Sequence, residues 1–298
     1  IFLMRHFLLI PHLKLHNANA MSSPYTIGFP AMTAWLGAVH ALQRKLQTKT
    51  CDVALTKVAI SCHEFNLQTY KGQGDFVHSI IGTANPLDKD GSRPAFIEEA
   101  RCHLEVSLLI EVENLNIKKR ERLLELIPDL VCSMKFASGD VLAVKDYQII
   151  DFDDEDENQD KELRPILNKL MLGHVIIERR DLVIESMNRG KDALDAVLDY
   201  LKVTNSSTLD ENDKVTWASK RKAQGWLVPI AVGFQGISEL EQAKNQRDAN
   251  TPHRFAESVL TLGEFVMPYR IEHIDQLLWK YHVDLENNLY LCQNQTTT

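Results

Sequence analysis

The sequence predicts an α+β fold, ferredoxin-like and RRM-like in its first half, with a C-terminal α/β extension. Three observations carry this reading: a period-two strand at Arg101 to Val112, amphipathic helices of 3.6-residue period on either side of it, and an element order that runs strand–helix–strand twice over.

Phe7 to Leu15 opens the chain as a strand. Its apolar run, Phe7 to Ile10, stops at Pro11 and His12, too short for the core of a secretion signal despite Arg5 before it. A polar loop follows, in which Asn17, Asn19, Ser22, Ser23 and Thr26 offer hydrogen-bonding tips. Gly28 and Pro30 close it, and Pro30 suits the first turn of a helix, where a missing N–H costs nothing. Trp35, Val39, Leu42 and Leu46 then fall on one helical face, while His40 and Arg44 project from the other. Two readings of that outer edge stay open: a solvated polar face, or a place for a phosphate or a base edge.

Val53 to Leu67 is rich in β-formers and reads as the next strand. Asn66 to Glu99 is turn-rich, with Gly72, Gly74, Gly82, Pro86, Gly91 and Pro94, and it is long for a connection, which points to a functional loop. In Arg101 to Val112 the even residues from Cys102 to Val112 are apolar, whereas Arg101, His103, Glu105 and Ser107 form a polar outer face. That face lacks the aromatic pair on which RNA-recognition modules stack bases, so any RNA contact is expected in the loops. A helix over Lys118 to Met134, inward on Leu123, Leu126, Ile127 and Leu130, and a strand over Val141 to Ile150 complete a first domain of residues 1–150.

Asp151 to Glu162 holds eight acids and one lysine and reads as a solvated acidic loop. Residues 163–298 are expected to pack on the same core. They carry helices at Lys161 to Leu172 and Asp192 to Lys202 and a short strand at His174 to Glu178. Gly225 to Ile230 is an apolar strand in which Pro229 marks an edge or a bulge. Trp226 there is either core or a base-stacking surface. Thr251 and Pro252 predict the start of a helix carrying Phe255, Val259 and Leu262 inward, with Arg247, His253 and Arg254 gathered at its anion-favouring end.

Composition narrows the function. Hydrophobic content of 44% and charged content of 25% are those of a soluble globular chain. No stretch approaches the length of a membrane span. Five scattered cysteines without a C-x-x-C pair fit a reducing, cytoplasmic setting. The net charge of −8 is concentrated in the acidic block, so the rest of the chain is nearly neutral and free to carry a local basic path. Cys62-His63 and Cys102-His103 lack zinc-site spacing, and no phosphate-loop, dinucleotide, H-E-x-x-H or G-x-S-x-G motif occurs. No metal or cofactor is expected. Metal-free RNA cleavage would need a histidine beside a cation. His40 with Arg44 and His103 with Arg101 satisfy that on paper, and each is equally a surface histidine beside a surface arginine.

Seven stretches, in order, resemble one family. They are Asn17-Ala18-Asn19-Ala20 with Ser22-Ser23-Pro24 and Gly28-Phe29-Pro30; Val39-His40-Ala41-Leu42-Gln43-Arg44; Asn85-Pro86-Leu87 with Asp90-Gly91-Ser92; Glu98-Glu99 with Arg101 and His103 to Leu109; Gly225-Trp226-Leu227-Val228-Pro229-Ile230; Thr251-Pro252 with Arg254-Phe255; and Leu262-Gly263-Glu264. Together they are similar to the second Csy subunits of type I-F CRISPR surveillance complexes, Cas-five-type members of the RAMP superfamily. The resemblance implies a non-catalytic subunit that holds the 5′ handle of the CRISPR RNA, pairs with the large subunit, abuts the first backbone subunit and meets target DNA through the assembled complex. It also implies that 66–99 is an inserted thumb. The RNA contacts expected on this reading are Asn17, Asn19, Ser22, Ser23, His40, Gln43, Arg44, Arg101, His103 and Arg254. The rival reading is a metal-independent repeat endoribonuclease with a histidine as general acid or base.

Overall fold

The computed structural model describes residues 4–81, 87–93, 99–144, 146–153, 159–209, 214–246 and 248–294. Its first strand, β1 (Met4–Asn19), is also its organiser. A small hairpin of β2 (Met21–Ser23) and β3 (Thr26–Ile27) leads into α1 (Met32–Thr48). Next come β4 (Ala54–Leu67), a second hairpin of β5 (Thr69–Tyr70) and β6 (Ser79–Ile80), β7 (Arg101–Glu113) and α2 (Ile117–Cys132). β8 (Lys135–Phe136), β9 (Gly139–Ala143) and β10 (Gln148–Asp153) precede α3 (Gln159–Leu170) and β11 (His174–Glu178). The chain ends with α4 (Arg180–Asn188), α5 (Ala193–Leu201), the hairpin β12 (Thr204–Leu209) and β13 (Val215–Lys220), then β14 (Trp226–Gly236), β15 (Ala256–Val266), β16 (Lys280–Asp284) and β17 (Leu289–Gln293).

The result is a mixed α/β structure built on one antiparallel sheet. Its order is β16-β17-β14-β15-β11-β4-β7-β1-β9-β8, and β10 also pairs with β1. β10 takes Met4 to Leu9 and β9 takes Lys14 to His16, so the strand expected at 141–150 is two strands along one edge of β1. Pro11 explains the break. It lies in the gap between them, where its missing N–H leaves no ladder bond unmade. β1 bulges there and again after Leu15, with left-handed backbone at His12 (φ 49) and Asn17 (φ 60).

Helices α1 and α2 cover one face of the sheet. Met32, Trp35, Leu42 and Leu46 with Leu123, Ile127 and Val131 pack on the even side chains of β7 and on Leu8, Ile10, Leu13 and Leu15 of β1. On the opposite face α3 covers only one end, where Leu163, Ile166, Leu167 and Leu170 meet Phe7, Leu9, Ala59 and Leu109. The cover stops where Ser61 Oγ donates to the carbonyl of Leu170 (2.8 Å). Trp279 is fully buried, donates Nε1–H to the carbonyl of Ile176 (2.9 Å), and exchanges backbone hydrogen bonds with Val58.

Several expectations are corrected. Pro30 lies just outside α1, which begins at Met32 behind Ala31. The helix expected from Thr251 is β15, paired along its length with β14; Phe255 is 74% exposed and never faced a core. Residues 261–264 are buried on both sides of the sheet, and a doubly buried strand has no period to tell it from a helix. The acidic loop is shorter than 151–162: Asp151 to Asp153 belong to β10, and α3 begins at Gln159. Asp151 is held below the usual carboxylate range, against its partial burial, by bonds from Arg120 and His6. Pro229 lies where β17 does not reach, since β17 pairs with Gly233 to Gln235 alone, so its missing N–H faces an open edge as expected.

Candidate nucleic-acid interface

At the end of β1 the chain opens a cleft of about 330 Å³ lined by Asn19, Ser22, Ala34, Gly37, Lys135 and Ser138, among others. Asn19 is fixed by its own turn: its Oδ1 accepts from the amide of Met21 (3.0 Å) and its Nδ2 donates to the carbonyl of Met21 (3.2 Å). Ser22 and Ser23 both bond the Thr26 hydroxyl, at 2.8 and 2.7 Å, and Ser23 Oγ accepts from Tyr25 N–H. These polar tips therefore shape the β2–β3 hairpin first. Ser23 is buried, and Ser22 is the serine that reaches the cleft. The far wall is the β8–β9 turn, where Ala137 and Ser138 are both left-handed (φ 47 and 65), the conformation of a two-residue hairpin turn. Gly139 follows because a Cβ there would stand 2.9 Å from Cβ of Ala18.

Across β1, the amide of Asn17 donates to Nδ1 of His103 (3.0 Å). An amide can only donate, so Nδ1 is bare and the His103 proton sits on Nε2. The His16 ring stacks on His103 with centroids 4.3 Å apart and planes 14° apart. His12 and His63 make a second stack at 4.3 Å and 28°. Glu105 accepts from His12 Nδ1 (2.6 Å) and pairs with Lys14 at 3.4 Å. The buried hydroxyl of Ser107 accepts from the His12 amide (3.1 Å) and bonds His63 Nε2 (2.7 Å). Burial, then the neighbouring His12, pushes His63 down to about 4. Arg101 is ion-paired with Glu99. The face without an aromatic pair in the sequence reading thus carries stacked imidazoles. His12-Leu13-Lys14-Leu15-His16 alternates polar and apolar, and that signal was present in the sequence.

The outer edge of α1 divides. His40 and Arg44 are exposed, and among the described residues Arg44 makes no ion pair. Gln43 is a structural residue: its Oε1 accepts from the amide of Leu55 (2.7 Å) and ties the helix to β4. His40 borders a cleft of only about 130 Å³ beside Lys57 and Tyr281. Lys57 is paired with Glu111 at 2.9 Å, and burial, then the Tyr290 hydroxyl, pushes the Tyr281 phenol up.

A family model described as CRISPR-associated protein (Cas_Csy2) matches residues 8–292, from β1 into β17. The chain is also 33% identical over 307 residues to the CRISPR-associated protein Csy2 of Pseudomonas aeruginosa (strain UCBPP-PA14), covering 95% of this chain and 93% of that one. The chain belongs to the Csy2 family.

In this Csy2-family chain one expected contact lies elsewhere. Arg254 sits beside Gly236 and bonds Asn288, with β11, β4 and β7 between its strand and β1, so it does not join the Asn17–Arg101 group. No helix starts there, and the expected cation cluster has no N-terminus to gather around; Arg247 lies outside the described residues. Trp226 is neither core nor isolated. It is 55% exposed and packs on Phe265 and His174, both at 5.2 Å, and Phe265 continues through Phe29 to Trp35. Of the stretch expected to form a thumb, Asn85, Pro86, Pro94 and Glu98 lie outside the described residues. Among the described residues no three His, Cys, Asp or Glu side chains gather as metal ligands, and no helix is long and apolar enough to cross a membrane.

Proposed function

We propose that this Csy2-family chain is a non-catalytic CRISPR RNA-binding subunit of a cytoplasmic type I-F surveillance complex. It holds the 5′ handle of the CRISPR RNA, pairs with the large subunit, abuts the first backbone subunit and meets foreign DNA through the assembled complex. The observation that carries this reading is the cleft of Asn19, Ser22 and Lys135, which joins amide and hydroxyl tips, a lysine paired with Asp140 and an open α1 surface at the end of β1. Arg44, farther along α1, and Arg101 extend the cationic path. The order β10/β9–β1–β7–β4, with both crossover helices on one face, supports a ferredoxin-like RAMP core over residues 1–150.

Exposed apolar side chains support the protein contacts. Phe76 (97% exposed) and Val77 lie between β5 and β6, within the stretch taken as the thumb. Ile184 and Met187 of α4 and Leu194 and Leu198 of α5 are exposed together. The β12–β13 hairpin stands outside the main sheet with Trp217 exposed, and an isolated hairpin is marginal in water without a partner. The cation that lines the cleft at His40, Lys57, is paired with Glu111, and Arg44 lies outside that cleft on the open face of α1, so the cleft does not favour the ribonuclease reading.

The test is ultraviolet crosslinking of the reconstituted complex with its CRISPR RNA, alongside incubation of the isolated chain with repeat RNA. Adducts on Asn19 to Tyr25 or on the outer edge of α1, and no cleavage, are expected. A cleavage product that disappears in His40→Ala would replace this reading by the ribonuclease.

A further inference from the structure

The half of the sheet that α3 leaves uncovered is not an ordinary solvated surface. From β7 it presents Arg101, His103 and Glu105, over the buried hydroxyl of Ser107, and from β1 His12, Lys14 and His16. No aliphatic side chain stands among these six, so the patch lacks the apolar anchors of a protein interface. It has instead a rigid column of rings. His103 is pinned by the Asn17 amide, which fixes its orientation and tautomer, and His16 lies nearly parallel on it. The His16 side chain is exposed and makes no hydrogen bond among the described residues; its ladder partner Asp140 adds a carboxylate beside it, and the stack on His103 sets the plane of the ring. Lys14 and Arg101 stand on the same face to either side, with Lys14 61% exposed.

We propose that the His16–His103 stack is a base-stacking platform for one unpaired nucleotide of the bound RNA. The base continues the column on the free face of His16, the Nε2–H of His103 donates to an acceptor of the same nucleotide, and Lys14 and Arg101 face its phosphates. Two imidazoles on adjacent central strands thereby take the place of the aromatic side chains on which RNA-recognition sheets stack bases. This platform rests on the RNA-binding reading above and adds to it a site on the sheet, separate from the cleft beside α1.

The experiment uses the full chain in the reconstituted complex, loaded with CRISPR RNA in which single 5′-handle positions carry 2-aminopurine, a base whose fluorescence is quenched by stacking. One handle position is expected to be quenched in the wild type, to recover several-fold in His16→Ala and to stay quenched in His16→Phe, which keeps a flat ring. Affinity is expected to fall about ten-fold in His16→Ala. The His16 side chain makes no hydrogen bond among the described residues and the backbone pairing with Asp140 does not depend on it, so the variant is expected to keep the fold; unchanged thermal unfolding checks this. Normal RNA loading with the same fluorescence at every position in wild type and His16→Ala would overturn the platform and leave the RNA-binding reading standing. A wild-type complex that takes up no RNA would overturn both.

Discussion

The amide of Asn17 donates to Nδ1 of His103 over 3.0 Å, from a residue held left-handed at φ 60. Asparagine adopts that conformation more cheaply than any residue but glycine. The second bulge of β1 thus turns a backbone donor onto the polar face of β7 and fixes a histidine tautomer there. Asn17→Gly is expected to stay within about 0.5 kcal/mol of the wild type, whereas Asn17→Val, β-branched in a left-handed position, should lose about 1–3 kcal/mol. Urea unfolding of both variants checks this.

Arg44 is unpaired among the described residues and Arg101 is tied to Glu99, so the two should not be equal partners of RNA. Arg44→Ala is expected to lower the slope of log K against log salt by roughly 0.7, the value for one phosphate on a single strand, and Arg101→Ala by less. Adding Glu99→Gln should strengthen the binding. A salt titration by fluorescence anisotropy measures all three.

On the α1 side of the cleft, Gly37 can be altered without touching the core. A Cβ at Gly37 would meet nothing within 4 Å. Gly37→Ala should therefore raise stability by about 0.5–1 kcal/mol, as removal of a helical glycine does. Ala34→Glu should weaken RNA binding by placing a carboxylate in the cleft, with some loss of stability because Ala34 is half-buried against the core. Thermal unfolding and anisotropy on the same samples separate the two effects.

His63 carries a pH dependence whose sign follows from its burial. Its folded value, about 4, lies below its ordinary 6.5. Between those values the unfolded chain takes up the proton and the folded chain does not. The stability that comes from keeping His63 neutral is therefore complete above about pH 6.5 and is lost as the pH falls toward 4. His63→Gln should flatten the melting-temperature profile across that window.

Phe76 and Leu198 are exposed in the isolated chain, so polar replacements should cost little stability. Phe76→Ser and Leu198→Asp are each expected to reduce capture of a partner subunit in pull-downs from reconstituted components.

Much of the core was legible because its periods were clean. The alternation of Cys102 to Val112 and the helical face of Trp35, Val39, Leu42 and Leu46 both survive intact. β15 was misread because Val259 and Leu262 fit a helical step inside a doubly buried strand. β12 and β13 were invisible, since a hairpin of exposed serines and threonines has no apolar face to alternate. Of the candidate site, Asn17 and His103 do meet and Asn19 and Ser22 do share a cleft. Gln43 and Ser23 turn out to hold the structure together, because polar atoms near a backbone end satisfy it before they reach a ligand. The His16 and His63 stacks required strand register, which no spacing supplies.

The most direct test is to purify this chain with the products of its neighbouring genes and sequence the 5′ ends of any RNA that comes with it. A stoichiometric complex carrying short RNAs with one shared 5′ end, protected by this subunit and lost in Arg44→Ala/Lys135→Ala, is the expected result. A complex that assembles fully and carries the same RNA when this chain is left out would contradict the assignment of the handle to it.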